Sequence, residues 1–186
     1  MSDEQATAIL ERRARALARP MTRVRQGQGE SLVTFTRGAR YALPVTSIRE
    51  VRPHVPPHPL PKAPSFVAGL VASRGGVVPA VDLAALFGTS ATGDPAALII
   101  VADGAVEAAL LAETVDAVAD VPHTSLGRLP AGTPPLTREY AIGLAPTVGV
   151  VLDATLLLHG IASALRPRDA GDRGQATVTP DEGGAT

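Results

Sequence analysis

From about residue 30 to residue 162, apolar residues alternate with polar ones or run in short blocks, the two patterns of half-buried and fully buried β-strands. "SLVTFTRGARYALPV" predicts a strand, a turn at Arg37-Gly38 and a second strand; "SIREVRP" predicts a third, ending in a proline-rich connection. "FVAGLVASRGGVVPAVDL" predicts a hairpin turning at Arg74-Gly75-Gly76, then a short helix from Asp82 to Phe87. Asp82 suits an N-cap, because its carboxylate can accept from the free amides of the first turn.

The same order then recurs. "ALIIVADGAVEAALLAETVDAVADVP" repeats strand, glycine turn, strand and strand, and "YAIGLAPTVGVVLDATLLLHG" repeats the hairpin and short helix. Leu43, Ile48 and Val51 fall on Leu110, Val115 and Val118 at one constant offset, Gly69-Leu70 on Gly143-Leu144, and Asp82 on Asp153. Short strands without long helices, in two copies of one five-stranded unit, predict an all-β fold of two small barrels packed together. The halves, about 30–90 and 96–162, are the expected lobes.

The ends differ from this body. Within residues 1–29, "SDEQATAILERRARALARP" predicts a helical extension capped by Ser2 with Gln5 three residues on and stopped by Pro20. Ala6, Ile9, Leu10 and Leu17 share one face and arginines crowd the other. Residues 163–186 carry few large apolar side chains and are expected to be a disordered tail.

Composition narrows the chemistry. With no cysteine, disulfides and thiolate chemistry are excluded. A net charge of −1 gives the molecule no bias toward nucleic acid, and 3% aromatic residues without tryptophan argue against base-stacking platforms. No apolar run reaches the ~18 residues of a membrane span and no signal peptide opens the chain, so a soluble, cytoplasmic protein without membrane insertion is expected. His54 and His58 flank "VPP", but prolines preclude a helix there and no third ligand lies nearby. Ser73 lacks the G-x-S-x-G setting of a nucleophile, and the glycine turn lacks a Walker lysine, the sole lysine being Lys62. Neither a cofactor, a metal nor an enzyme activity is expected. Glu50 in its strand and Arg74 at its turn read first as solvated positions, and the arginines from Arg12 to Arg25 as a solvated helix face.

A resemblance changes that reading. "LVTFTRGARYALPVTSIREV", with its glutamate–hydrophobe pair Glu50-Val51, resembles the opening strands of CheW domains, the coupling proteins of bacterial chemosensory arrays. "LPKAPSFVAGLVASRGGVVPAVDL" resembles the most specific block of that family: a proline-rich entry, Gly69, the turn Arg74-Gly75 and a Val-Pro-x-x-Asp-Leu run. The second half is similar more loosely, through "EAALLAETVDAVADV" and "YAIGLAPTVGVVLDATLLL". The resemblance implies two SH3-like barrels side by side and a non-catalytic adaptor between a chemoreceptor's cytoplasmic tip and the regulatory domain of a CheA-type histidine kinase, recruited to receptor arrays. It implies receptor-binding positions at Ile48, Glu50, Val51, Gly69, Arg74 and Gly75, with Ala109 and Val118 in the second lobe. An arginine suits such a place because its planar donors meet carboxylates or carbonyls.

Three departures stand out. Ala72-Ser73 replaces the usual Asn-Leu, Ala112-Glu113 replaces the usual Val-Asp, and "GRLPAGTPPLTREY" lacks the bulky aromatic that the family often places in its ring-forming loop. The altered loop, with the N-terminal arginine-rich helix that is extra to a minimal adaptor, favours an alternative: an accessory scaffold of a non-flagellar chemosensory pathway that binds receptors or regulators without forming kinase rings. An enzyme or small-ligand binder built on the barrels is the third possibility, and the missing catalytic set counts against it.

Overall fold

A computed structural model describes residues 29–166. The expected N-terminal helix and the tail beyond residue 166 lie outside the described residues. A first hairpin, β1 (Gly29–Arg37) and β2 (Ala39–Pro44), leads through a 3-10 turn at Val45–Ser47 to β3 (Ile48–Pro53). A second, β4 (Val67–Ser73) and β5 (Gly76–Val81), runs into α1 (Leu83–Phe87). Then follow β6 (Ala97–Asp103), β7 (Val106–Ala112), β8 (Thr114–Pro122), a 3-10 turn at His123–Ser125, α2 (Pro135–Tyr140), β9 (Ala141–Ala145), β10 (Gly149–Leu152) and α3 (Ala154–Leu165).

The strands form two five-stranded sheets, β8-β1-β2-β10-β9 and β3-β6-β7-β5-β4. Each sheet therefore draws on both halves of the chain. Hairpin β1–β2 completes the sheet of β8, β9 and β10, and hairpin β6–β7 completes that of β3, β4 and β5. The expected halves are repeats in sequence, but neither half is a sheet by itself. Local periodicity identifies a strand and its faces, not the strand beside it.

The register preserves the repeat to the residue. Val33 faces Val118 as Ile99 faces Val51, and Phe35 faces Val115 as Val101 faces Ile48. Both pairings carry an irregularity at the same place, next to Phe35 in one sheet and next to Ile48 in the other.

Both exchanged hairpins are buried on two faces, which accounts for the unbroken apolar runs in their second halves. On β6, Leu98 and Ile100 pack inside one barrel with Val71, Val78, Ala109 and Leu111, while Ile99 and Val101 point into a core between the lobes. Leu32, Ala42, Val121, Val148 and Val151 fill the other barrel. The central core joins Phe35, Tyr41 and Leu43 to Val81, Phe87, Leu110 and the buried side of α3. Four of the five aromatic residues stack through it in a chain, with centroids of Phe35–Tyr41 at 5.8 Å, Tyr41–Phe87 at 5.6 Å and Phe87–Tyr140 at 6.3 Å. The aromatics hold the lobes together instead of furnishing a stacking surface.

Both helices that end the repeats start as expected. Asp82 accepts from the Ala84 amide and Asp153 from the Leu156 amide. Gly88, in the left-handed region at φ 68°, stops α1 after five residues. After Asp153 the apolar spacing continues through Leu157, Leu158 and Ile161, so α3 runs for 12 residues to Leu165. It is longer than the short helix expected there, and it takes residues 163–165 out of the expected tail. The helix α2 was not legible in its proline-rich loop; Pro135 at its first turn is compatible with helix there because no amide is needed.

Candidate functional site

After the third strand of each repeat the chain crosses to the fourth and closes the barrel. His58 and Leu70 exchange two backbone hydrogen bonds, each 2.8 Å, and Gly127 and Leu144 exchange two, of 2.8 and 3.0 Å. Gly69 makes the first closure possible. It is buried at φ +147°, and a Cβ there would lie 2.3 Å from the His58 carbonyl oxygen.

Above the His58–Leu70 closure, β3 and β4 stay apart. An open groove of about 650 Å³ runs between residues 49–52 and 72–74. Glu50 and Arg74, singled out separately from the sequence, meet across it: Arg74 Nε lies 2.9 Å from Glu50 Oε2. The arginine side chain is 89% exposed and the glutamate 19%, so the pair sits on the rim with its acid half sunk into the wall. Arg52 spans the gap from β3, donating through Nη2 to the Ala72 carbonyl, with Nε 3.7 Å from Glu50 Oε1. Arg49 pairs with Glu107 at 2.8 Å. Sequence reasoning missed Arg49 and Arg52; their signal was the polar run "REVR" in a strand whose second face has to leave the barrel.

The remaining residues implied by the resemblance divide by environment. Val51 (46% exposed) stands on the open side of β3, and Gly75 is exposed in the turn. Val118 (56% exposed) holds the position equivalent to Val51 in the other sheet. Ile48 is half-buried against the central core. Ala109 is 0% exposed inside a barrel, and Gly69 is buried behind the His58 backbone. Neither presents a side chain at the surface: Ala109 packs inside the barrel and Gly69 permits closure.

Arg37 provides a second polar cluster. Expected in a turn, it instead ends β1 with a side chain only 9% exposed. Its Nε and Nη2 meet the two Asp82 carboxylate oxygens at 2.9 and 2.5 Å, and Nη1 donates to the Gly93 carbonyl. Glu113 stands 3.7 Å away and accepts from the amides of Gly38, Thr92 and Gly93 and from the Thr92 hydroxyl. Glu113 thus pins the loop before β6. Burial opposes ionisation of Asp82, but hydrogen bonding and charge from Arg37, with the helix amides, outweigh it and hold the carboxyl below its ordinary value. At Glu113 burial is likewise outweighed, by the Thr92 hydroxyl and the loop amides, and its carboxyl is also held low.

Fold and groove together define a paired-barrel domain with one open, arginine-lined seam. The family described as CheW-like domain matches residues 31–162. The chain belongs to the CheW-like domain family. It is 32% identical over 94 residues to the chemotaxis protein CheW of Rhizobium meliloti (strain 1021), covering 50% of this chain and 60% of that protein. It is 30% identical over 123 residues to a probable chemotaxis protein CheW of Rhizobium etli, covering 64% and 78%. The chain thus matches less than two thirds of the first relative's length and more than three quarters of the second's. Among solved structures, the scaffolding protein TtCheW from Thermoanaerobacter tengcongensis shares the fold with a TM-score of 0.58 at 22% identity, over 67% of this chain and 89% of that one.

Proposed function

We propose that this protein is a non-catalytic adaptor coupling chemoreceptors to a CheA-type histidine kinase in bacterial chemosensory signalling, cytoplasmic and recruited to receptor arrays. The observation that carries this reading is the family match from 31 to 162, which takes in both barrels and the seam. Both relatives named above are chemotaxis proteins. Among the described residues no helix is long and apolar enough to cross a membrane.

In this reading the receptor's helical tip lies along the β3–β4 seam, touching Glu50, Val51, Arg74 and Gly75, with Ile48 behind them and Val118 in the second lobe. Gly69 and Ala109 shape that face from within. The kinase domain uses other surfaces. The test is capture of two purified probes by the full chain: a chemoreceptor cytoplasmic tip fragment and a CheA regulatory domain. Binding of both supports coupling; binding of neither overturns it.

One observation favours the accessory-scaffold alternative. The segment that lacks the family's aromatic is folded back on itself by Arg138, which donates to the carbonyls of Thr133 and Pro130 at 3.0 Å and to that of Ala131. Capture of the receptor tip without the kinase domain would select this alternative.

A further inference from the structure

Charge at the β3–β4 seam does not balance. Two of its guanidiniums, Arg49 and Arg74, each have a carboxylate within 2.9 Å, on Glu107 and Glu50. Among the described residues Arg52 has none of its own. Its Nη2 is held by the Ala72 carbonyl, while its Nε is buried and has no hydrogen-bond partner among the described residues. The nearest acid is Glu50, already engaged by Arg74, with Oε1 3.7 Å from that Nε. A buried donor left unpaired is unfavourable, and a hydrogen bond to a charged acceptor would relieve it. A shift of the Glu50 carboxylate by less than about 1 Å brings Oε1 into bonding range of Arg52 Nε. Arg74, at the exposed rim, holds Glu50 by the weak, solvent-screened kind of contact.

We infer that Glu50 is a shared carboxylate and Arg52 a positioning residue. When an acidic side chain on a partner helix takes Arg74, Glu50 passes to Arg52 Nε. The seam then holds as many carboxylates as arginines, and the orphaned donor is satisfied. The partner feature recognised is a carboxylate presented from a helix, and the Arg74–Glu50 pair is the resting state that it displaces. This rests on the reading that the seam receives a receptor tip; the exchange itself is a property of this chain.

Two measurements on the full chain separate exchange from receptor binding. The first needs no partner. With arginine side chains labelled with ¹⁵N, Arg74→Ala removes the competing cation, and the Arg52 Nε–Hε resonance is expected to move downfield and to exchange more slowly with water. An Arg52 resonance unchanged in Arg74→Ala overturns the exchange. The second is titration with a chemoreceptor tip fragment. Arg52→Lys keeps the charge but cannot serve Ala72 and Glu50 together, and should weaken binding about tenfold, the equivalent of one charge-assisted hydrogen bond. Arg52→Lys and wild type should differ much less on a fragment whose acidic residues are changed to Asn and Gln. Equal binding of the acidic fragment by wild type and Arg52→Lys overturns the positioning role. If wild type binds no tip fragment, the receptor reading fails, and the Arg74→Ala spectrum still decides the exchange.

Discussion

The two barrels share a register but differ in what occupies equivalent places. At the end of β1, Arg37 is buried and bound to Asp82, the cap of α1, and stands near Glu113. At the equivalent end of β6 stands Asp103, whose partner His159 lies 3.5 Å away with both side chains exposed. The caps themselves match, yet among the described residues no arginine pairs with Asp153 as Arg37 does with Asp82. The seams differ as well. Where β3 places Glu50 and Arg52, β8 places Ala117 and Ala119, and a loop gathered by Arg138 lies beside the second closure. The backbone of the repeat needs only the cap, the bulge and the closing bridge. One copy carries in addition a buried charged tie between the sheets and an open charged seam.

The largest effect expected from this contrast is on Arg37. Arg37→Met leaves Asp82 and Glu113 buried without their cation and should cost about 3 kcal/mol of unfolding free energy at neutral pH. His159→Ala, at the exposed counterpart, should cost less than about 0.5 kcal/mol. Denaturant unfolding measures both; equal losses would remove the asymmetry. The pH dependence has a definite sign. Both carboxyls are held below their ordinary values, so their contribution is present above the ordinary carboxylate range and is lost as pH falls through the lowered values. Without Arg37 the depression at Asp82 is relieved, while that at Glu113, set by Thr92 and the loop amides, remains, so the gap between wild type and Arg37→Met should be widest above about pH 5 and narrow on acidification. A gap that widens in acid would contradict the assignment.

Next in size is the closure. Gly69→Ala meets the His58 carbonyl at 2.3 Å in a backbone conformation that side chains disfavour, and should cost about 3 kcal/mol. At Gly143 the nearest atom to an added Cβ is the Gly127 oxygen at 3.0 Å, and Gly143→Ala should cost about 1 kcal/mol. Melting temperatures rank the two, and the reverse order would sink this account of Gly69. Smallest is the bare cap: Asp153→Ala should lose about 1 kcal/mol, and Asp82→Ala clearly more, because it also strands Arg37.

Much of this was legible in the sequence because it is local. Alternation marks strands, an aspartate before an apolar turn marks a cap, and a constant offset from Leu43 to Leu110 marks a repeat. The exchange of hairpins was not, because alternation carries no record of a strand's neighbour. Arg37 read as a turn residue because Gly38 follows it, while its partners lie far along the chain. Glu50 and Arg74 were each visible, but their bond depends on how β3 and β4 meet. The burial of Ala109 was not legible, because "AALLA" has no polar position to say which face is outward.

The central claim is that the seam's exposed charge serves recognition rather than stability. Titration of wild type and Arg74→Ala with a chemoreceptor tip fragment, with the CheA regulatory domain as internal control, tests it most directly. Arg74 is exposed and its ion pair weak, so the melting temperature should hardly move. Interface arginines can contribute roughly 2 kcal/mol, so tip affinity should fall at least about tenfold while kinase binding stays as in wild type. Undiminished tip binding, or a large drop in melting temperature, would contradict the account.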